Sequence, residues 1–319
     1  MVASLENAGM QPARVKAVVV THNRRTLLAE VLTALRSQTV PLERIVVVDN
    51  ASTDGTREFL CGLPDPPFEM ILLPENLGGA HGFSTGIAAA AQDFDGLIWT
   101  LDDDAIPEID ALAALLAVPE LAAPTTVGLA SKVVDRTGRV QAIHRGSFDR
   151  LRLRQISCSA AEYDSAVPVQ VGYSSFVGLL VKAEVVRKIG PPAANMFIWF
   201  DDVEYTLRMQ TLGNLYLVPQ SLVVHHDHTQ PGRRLPIEHY WKMYYDIRNT
   251  VLIGRRYGSC WSPLPYLFLT LGRRIVGVLL RDDHRRIRIG ILVRGYVDGL
   301  RGVTGKTVDP RAYRDRLPA

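Results

Sequence analysis

The chain has 319 residues, 47% of them hydrophobic and 22% charged, with a net charge of +3. That balance is ordinary for a soluble globular protein of one large or two smaller domains. Its three cysteines, Cys61, Cys158 and Cys260, are too far apart for a metal-ligand pattern or an even-numbered disulfide framework, so reduced thiols are expected. Glu6 and the short apolar run at 17–20 argue against a secretory signal. No run of 18 apolar residues suggests a membrane span. The charge is unevenly placed: residues 271–319 carry 12 Arg and Lys against 5 Asp. A basic segment of this kind suits an acidic partner such as anionic lipid, nucleic acid or a phosphorylated substrate.

The first hundred residues alternate strand and helix. Residues 15–20 form a β-branched run, and 24–37 show helical periodicity through Leu27, Leu28, Val31, Leu32 and Leu35. Residues 44–48 are a second buried strand, 53–60 a short helix, 70–73 a third strand and 82–91 a helix of small residues. Residues 97–101 are the fourth strand. This order implies a parallel sheet covered by helices on both faces. Polar clusters follow each strand: Thr21 to Arg24, Asp49 to Ser52, Glu75 to Gly79, and Asp102-Asp103-Asp104. All four therefore gather at one edge of the sheet, where an open α/β fold binds its ligand. Each cluster alone could be a turn or a helix cap, but together they favour a nucleotide-type site. Glycines let the backbone approach a diphosphate. No GxGxxG follows the first strand and no GxxxxGK[ST] occurs, which weakens dinucleotide and P-loop readings.

The Asp triplet carries the most chemistry. Three adjacent carboxylates repel one another and are tolerable with a cation or cationic substrate among them. Asp102 and Asp104 point to the same side of an extended chain, so both could serve one divalent metal; capping of the next helix by Asp104 is the structural alternative. Further along, residues 127–134 and 176–181 read as strands, and 145–154 as a basic, variable loop. Asp201, Asp202 and Glu204 open an amphipathic helix, where its dipole favours negative charge. Trp199 and Phe200 beside them could raise a carboxyl pKa. Residues 215–218 and 222–224 are two short strands, the second ending in His225-His226-Asp227-His228, whose imidazoles could ligate a metal.

Seven elements then stand in order over residues 15–255: Val20-Thr21-His22-Asn23-Arg24, Val47-Val48-Asp49-Asn50-Ala51-Ser52-Thr53-Asp54-Gly55, Asn76-Leu77-Gly78-Gly79, Leu101-Asp102-Asp103-Asp104, Trp199-Phe200-Asp201-Asp202-Val203-Glu204, Val223-Val224-His225 and Tyr245-Asp246-Ile247-Arg248-Asn249. Together they resemble the inverting family 2 glycosyltransferases with a GT-A fold. The resemblance is strongest to the bacterial galactofuranosyl- and rhamnosyltransferases that build cell-wall and surface glycans. It implies an α/β GT-A domain at 15–230, with a mostly parallel Rossmann-like sheet flanked by helices, and a C-terminal basic helical region at 231–319 for acceptor or membrane-surface binding. It implies a nucleotide-sugar donor, UDP-galactofuranose ahead of dTDP-rhamnose, and a glycan or polyprenyl-diphosphate-linked acceptor. Thr21, Asn23, Arg24, Asp49, Asn50, Asn76, Gly78, Gly79, Asp102 and Asp103 would line the donor, with Asp49 reading the nucleobase and Asp103 largely structural. Asp104, Asp102 and His225 would hold Mn2+ or Mg2+, with His226 the lesser candidate. Asp202 would be the general base. The family often has Glu-Asp where this chain has Asp201-Asp202, so Asp201 is the alternative. Trp199, Phe200, Asp201 and Arg248 would face the acceptor.

Residues 239–249 are rich in aromatics at helical spacing, which reads as core or as a sugar-stacking platform. Residues 264–280 are apolar, but Arg273-Arg274 interrupts them too much for a bilayer span. With Arg281, Arg285, Arg286, Arg288 and Arg294 they read as helices that could lie on an anionic membrane surface, which would make the protein cytoplasmic and peripheral on the inner face of the membrane. No nucleic-acid partner is expected. Two other classes compete: a sugar-1-phosphate nucleotidyltransferase, for which residues 21–24 lack the glycines, and a non-catalytic nucleotide-sugar-binding protein, against which the metal and base candidates argue. Acceptor, linkage and oligomeric state are not legible.

Overall fold

The computed structural model describes residues 13–226, 235–258 and 261–315. Strands β1 (Val15–Thr21), β2 (Arg44–Asp49), β3 (Phe68–Leu72) and β4 (Leu97–Asp102) alternate with helices α1 (Arg25–Arg36), α2 (Thr56–Cys61) and α3 (Gly79–Ala91). The strands lie parallel in the order β3-β2-β1-β4. The apolar sequence of β1, interrupted by Lys16, is explained by burial on both faces. Val15, Ala17 and Val19 pack with Leu28, Val31, Leu32 and Leu35 of α1. Val18 and Val20 pack with Phe83, Ile87 and Ala90 of α3. The small residues of α3 let it sit close to the sheet, since a Cβ on Gly82 or Gly86 would fall 2.5 or 2.6 Å from a valine methyl.

The second half of the sheet is mixed. It comprises β5 (Ala105–Pro107), helix α4 (Ala111–Leu116), β6 (Thr126–Val134), β7 (Arg145–Asp149), β8 (Arg154–Ser157), helix α5 (Ala160–Tyr163), β9 (Val169–Val171), β10 (Tyr173–Ser174), β11 (Leu179–Lys182), helices α6 (Ala183–Ile189) and α7 (Asp201–Met209), and β12 (Asn214–His225). Strand order continues β4-β11-β6-β12-β5, with β11 antiparallel to both neighbours and β12 parallel to β6. The fold is thus α/β, with a parallel nucleotide-type half and helices on both faces.

Three readings change. The two strands at 215–218 and 222–224 are one strand, β12, interrupted by a register shift between Val218 and Leu222; the bulge lets apolar residues stay inward on both sides of it. The basic segment 145–154 is not a loop: β7 and β8 pair antiparallel in a small sheet with β10. Arg145 is fully buried there, donating to the carbonyls of Ser131 (3.0 Å), His144 (2.8 Å) and Val177.

The third change is at the C-terminus. Helix α8 (Lys242–Tyr257) is followed by a helical span, Pro263–Arg281, and a helix Arg285–Arg301. The span is long and apolar enough to cross a membrane by length and composition, with mean hydropathy 1.3 and 22% of it buried. Arg274 does not interrupt it as its sequence position suggests, because its guanidinium turns inward onto Asp246 of α8. The proposed boundary at 230/231, with Asp227 and His228, lies outside the described residues.

The turn before α3 and the loop before α7 approach closely. Gly78, at φ +89°, sits where a Cβ would fall 2.0 Å from the Phe197 carbonyl oxygen. Gly78→Ala should therefore cost more than ~2 kcal/mol in chemical denaturation, against about 1 kcal/mol for Gly138→Ala. Gly138 has φ +81° but open space around its Cβ direction. Equal costs would mean that the Gly78–Phe197 approach contributes nothing beyond backbone strain.

Candidate active site

The strand order puts the topological switch between β1 and β4, the crevice where open α/β sheets take ligands. Val20 pairs with Asp102 across it, and Thr21 pairs with Asp49. The carboxylates after β4 have separate surroundings. Asp103, 6% exposed, turns toward the β1 loop and accepts from Thr21 Oγ1 at 2.8 Å and the His22 N–H at 3.2 Å. Burial raises its carboxyl to about 6, offset in part by Arg24.

Asp102 and Asp104 are met by His225, which β12 delivers by pairing antiparallel with β5 so that His225 lies opposite Ala105. Ligand atoms of the three side chains all lie within 4.8 Å of one another. His225 Nε2 is 3.1 Å from Asp104 Oδ1 and 3.9 Å from Asp102 Oδ2. Its Nδ1 is 2.8 Å from Gln141 Oε1, and a ring that donates there keeps the Nε2 lone pair for a cation. His144 packs edge-on to the His225 ring with centroids 5.1 Å apart and reaches the same Gln141 oxygen at 3.0 Å. Two carboxylates and an imidazole fit a divalent cation of the Mn2+ or Mg2+ type.

The carboxyls titrate far apart. Burial, then the charge of Asp104, pushes Asp102 up to about 7. Burial would raise Asp104 too, but His225 and Arg24 outweigh it and hold that carboxyl at about 2. Arg24 is ion-paired with Asp104 and lies 3.2 Å from Asp103 Oδ1. Its guanidinium supplies positive charge where a metal would, and its side chain is half exposed, free enough to yield.

The remaining donor-side candidates are tied together. Asn23, at φ 55°, accepts from the Thr53 N–H at 2.7 Å and donates its own N–H to Ser52 Oγ at 2.9 Å, locking the β1 and β2 loops. Asn50 Oδ1 accepts from Leu77 N–H at 3.1 Å, and Asn76 Oδ1 from Gly78 N–H at 2.8 Å. Gly79, with nothing within 4 Å of its Cβ direction, opens α3. Asp49 is fully buried; its Oδ1 accepts from Ser52 N–H, while Oδ2 makes no hydrogen bond among the described residues and has Arg57 Nε at 3.6 Å.

Helix α7 starts with Asp201 and Asp202, whose charges face its dipole. Asp201 is 6% exposed, and its carboxyl is raised well above the usual range by burial and then by Asp202, with Asp102 also contributing. Asp202 is half-buried, accepts from Val203 N–H at 2.7 Å, and is raised to about 6 chiefly by burial. Of the two, Asp202 keeps more surface open to a second molecule. Glu204 is consumed by the fold: it is fully buried against Arg208, Arg256 and the Tyr257 hydroxyl.

The loop leading into α7 is strained, with Phe197, Trp199 and Phe200 all at φ between 64° and 68°. Asn249 Nδ2 holds it, donating to the carbonyls of Met196, Ile198 and Trp199 at 2.8–3.0 Å. Arg248 corrects an expectation. It is fully buried, so it does not face an acceptor; it donates to the carbonyls of Met196 (2.8 Å) and Gly305 (2.7 Å) and to Thr307 Oγ1 (3.0 Å). Trp199 does remain open, 38% exposed, with Lys242 Nζ 5.8 Å from its ring centroid. His226 is turned away from the acidic group, its Nδ1 2.8 Å from Arg136.

Several contributors escaped the sequence reading. Gln141 and His144 come from an irregular connection with no motif. Lys306 reaches the Asn76 carbonyl at 3.4 Å because Gly305 N–H bonds Asn195 O at 2.6 Å, bringing the C-terminal segment back to the Asn76–Gly79 turn. Only the basic bias after residue 271 hinted at it.

If Arg24 and a cation share Asp104, Arg24→Ala should lower the metal-free melting temperature by ~2–4 °C, about 1 kcal/mol for a half-exposed partner. Added Mn2+ should then raise the melting temperature of the variant more than that of the wild type. Equal Mn2+ shifts in scanning fluorimetry would separate Arg24 from the cation site.

Comparison with known proteins agrees with this geometry. Residues 17–165 match the family model for Glycosyl transferase family 2. Galactofuranosyltransferase GlfT1 of Mycolicibacterium smegmatis is 32% identical over 200 residues, covering 62% of this chain and 65% of the relative. The GlfT1 of Mycobacterium tuberculosis is 32% identical over 198 residues, covering 60% and 63%. The match thus spans just under two thirds of these curated relatives. Among solved structures, GalNAc-T7 with UDP, GalNAc and Mn2+ superposes with a TM-score of 0.63 at 16% identity, over 91% of this chain and 56% of that one. The mannosyltransferase PcManGT of Pyrobaculum calidifontis, in complex with GDP-Man and Mn2+, gives 0.54 at 18% identity, over 91% and 88%. S. aureus TarS 1–349 in complex with UDP-GlcNAc gives 0.55 at 14% identity, over 90% and 81%. Residues 17–165 are thus similar to Glycosyl transferase family 2, about 200 residues of the chain are similar to the galactofuranosyltransferases GlfT1, and the chain has the GT-A fold of these solved glycosyltransferases.

Proposed function

We propose that this protein is a metal-dependent inverting hexosyltransferase that moves a sugar from a nucleotide donor to a glycan or lipid-linked acceptor, with UDP-galactofuranose the favoured donor. The observation that carries this reading is the pairing of two acidic sites: Asp102, Asp104 and His225 at the sheet's switch point, and a separate raised carboxyl, Asp202, at the mouth of α7. The 32% identity to GlfT1 supports the choice of galactofuranose. No observation here favours dTDP-rhamnose, the second donor to be tested.

In this reading Asp102, Asp104 and His225 hold the cation. A divalent ion bound there would neutralise the donor diphosphate and the charge developing on the leaving group. The Asn76–Gly79 turn and the open start of α3 suit the diphosphate. Asp49 Oδ2, which has no hydrogen-bond donor among the described residues, suits the nucleobase N–H. Asp202 accepts the proton of the acceptor hydroxyl. The acceptor oxygen forms its bond to the anomeric carbon as the bond to the phosphate oxygen breaks, and the nucleoside diphosphate departs with the electron pair. A single displacement inverts the centre. Trp199 offers an exposed aromatic face for an acceptor sugar.

Asp202→Asn should lower kcat by ~10³-fold with the donor KM little changed, since a positioned base contributes about 10²–10⁴-fold. Asp202 works as the carboxylate, and its carboxyl is raised to about 6. With saturating Mn2+, which would keep Asp102 and Asp104 ionised, the wild-type kcat/KM should accordingly fall tenfold per pH unit below that value and level off above it. An acid limb that persists unmoved in Asp202→Asn would assign the base elsewhere. A thermal-shift screen with Mn2+ should rank UDP-galactofuranose above dTDP-rhamnose; the reverse order would replace the donor assignment.

A further inference from the structure

We propose that the helical span Pro263–Arg281 is a bilayer-docking surface that lies in the plane of an anionic membrane, its outer face in the lipid and its inner face on the protein. The inner face is committed: Tyr266, Leu271 and Val278 are buried in a cluster with Ile247, Val251 and Leu292. The Arg274–Asp246 ion pair and the hydrogen bond from Tyr296 Oη to the Pro263 carbonyl (3.0 Å) fasten the span along its length.

The outer face has no such cover within the described residues. Phe268 and Leu280 are 72% and 71% exposed, Trp261 67%, Leu269 and Val276 53% each, and Leu264 45%. Five large apolar side chains on one side of one helix, with Trp261 just before it, form a patch of the kind that marks an interaction surface.

Two observations choose lipid as the occupant. The first is charge. Exposed Arg273, Arg281, Arg285 and Arg286 border the apolar face, and residues 271–319 carry 12 basic against 5 acidic residues. Of the aspartates at this end, Asp283 is paired with Arg288 at 2.7 Å. An apolar face edged by arginine complements an anionic bilayer, where the arginines meet headgroups as the apolar side chains enter the acyl boundary. The second is geometry. A 19-residue helix is ~28 Å long, enough to span the hydrocarbon. Its inner face is fastened to α8 and to the helix Arg285–Arg301, so it cannot be surrounded by lipid. An in-plane position satisfies both faces. Trp261 at the start of the span supplies the amphipathic ring favoured at the membrane interface.

Co-sedimentation of the full chain with phosphatidylcholine vesicles, with and without phosphatidylglycerol, tests this. The chain should bind the mixed vesicles and bind pure phosphatidylcholine weakly. Phe268→Glu with Leu280→Glu should lower the partition by ~100-fold, because two exposed side chains then lose their transfer into lipid. Arg285→Glu with Arg286→Glu should abolish the preference for phosphatidylglycerol while leaving the residual apolar binding. Thermal stabilisation by UDP with Mn2+ should be unchanged in both double variants, which checks folding and keeps this proposal separate from the donor assignment. Three results would each overturn it: no binding of the wild type to mixed vesicles, undiminished binding of the Phe268/Leu280 variant, or light scattering showing a dimer that this variant makes monomeric. The last would assign the face to a second copy of the chain.

Discussion

Everything at the site depends on how three consecutive carboxylates are kept at the end of one buried strand. Unbalanced, Asp102, Asp103 and Asp104 would repel one another in a partly desolvated crevice. The fold gives each a different answer. Asp103 is absorbed by Thr21 and the β1 loop, Asp104 is clasped between Arg24 and His225, and Asp102 is left half-open with its carboxyl raised. Asp102 and Asp104 therefore differ in proton affinity although one residue separates them. A cation would relieve this arrangement, and a half-exposed arginine supplies part of the same positive charge.

The two ends of the proposed reaction are joined through backbone rather than side chains. Gly78 in the Asn76–Gly79 turn lies against the Phe197 carbonyl, and Ala80 N–H bonds the same oxygen at 3.2 Å. Phe197 opens the strained loop that ends at Asp201 and Asp202, and Asn249 with Arg248 holds the carbonyls of that loop from α8. The Asn76–Gly79 turn, the start of α7 and helix α8 thus form one mechanical unit, in which strain at three left-handed residues is offset by buried hydrogen bonds.

Much of this was legible in the sequence. The β-branched runs before Thr21, Asp49 and Asp102 located three parallel strands, and the polar residues after them located the crevice. His225 could be singled out because it ends an apolar run. What stayed hidden depended on long-range geometry. Arg145 sits in a polar stretch that looks solvated, yet Gly146 lets a neighbouring strand close over it. Arg248 matched a motif, but its burial and its carbonyl partners exist only once residues 196 and 305 are brought together. The apolar character of Pro263–Arg281 was masked by an arginine pair, one member of which is neutralised by Asp246, a partner 28 residues away. Gln141 carries no local signal at all, and Lys306 only its place in a basic segment.

The central claim is that Asp102, Asp104 and His225 bind a divalent cation together with a nucleoside diphosphate. Calorimetric titration of UDP into the wild type and Asp104→Asn, with Mn2+ and then with EDTA, tests it most directly. Tight UDP binding should require Mn2+ in the wild type and weaken at least ~10-fold in Asp104→Asn, the loss of one charged ligand being worth about 1.4 kcal/mol or more. UDP binding of equal strength in EDTA, or unaltered in Asp104→Asn, would contradict the account.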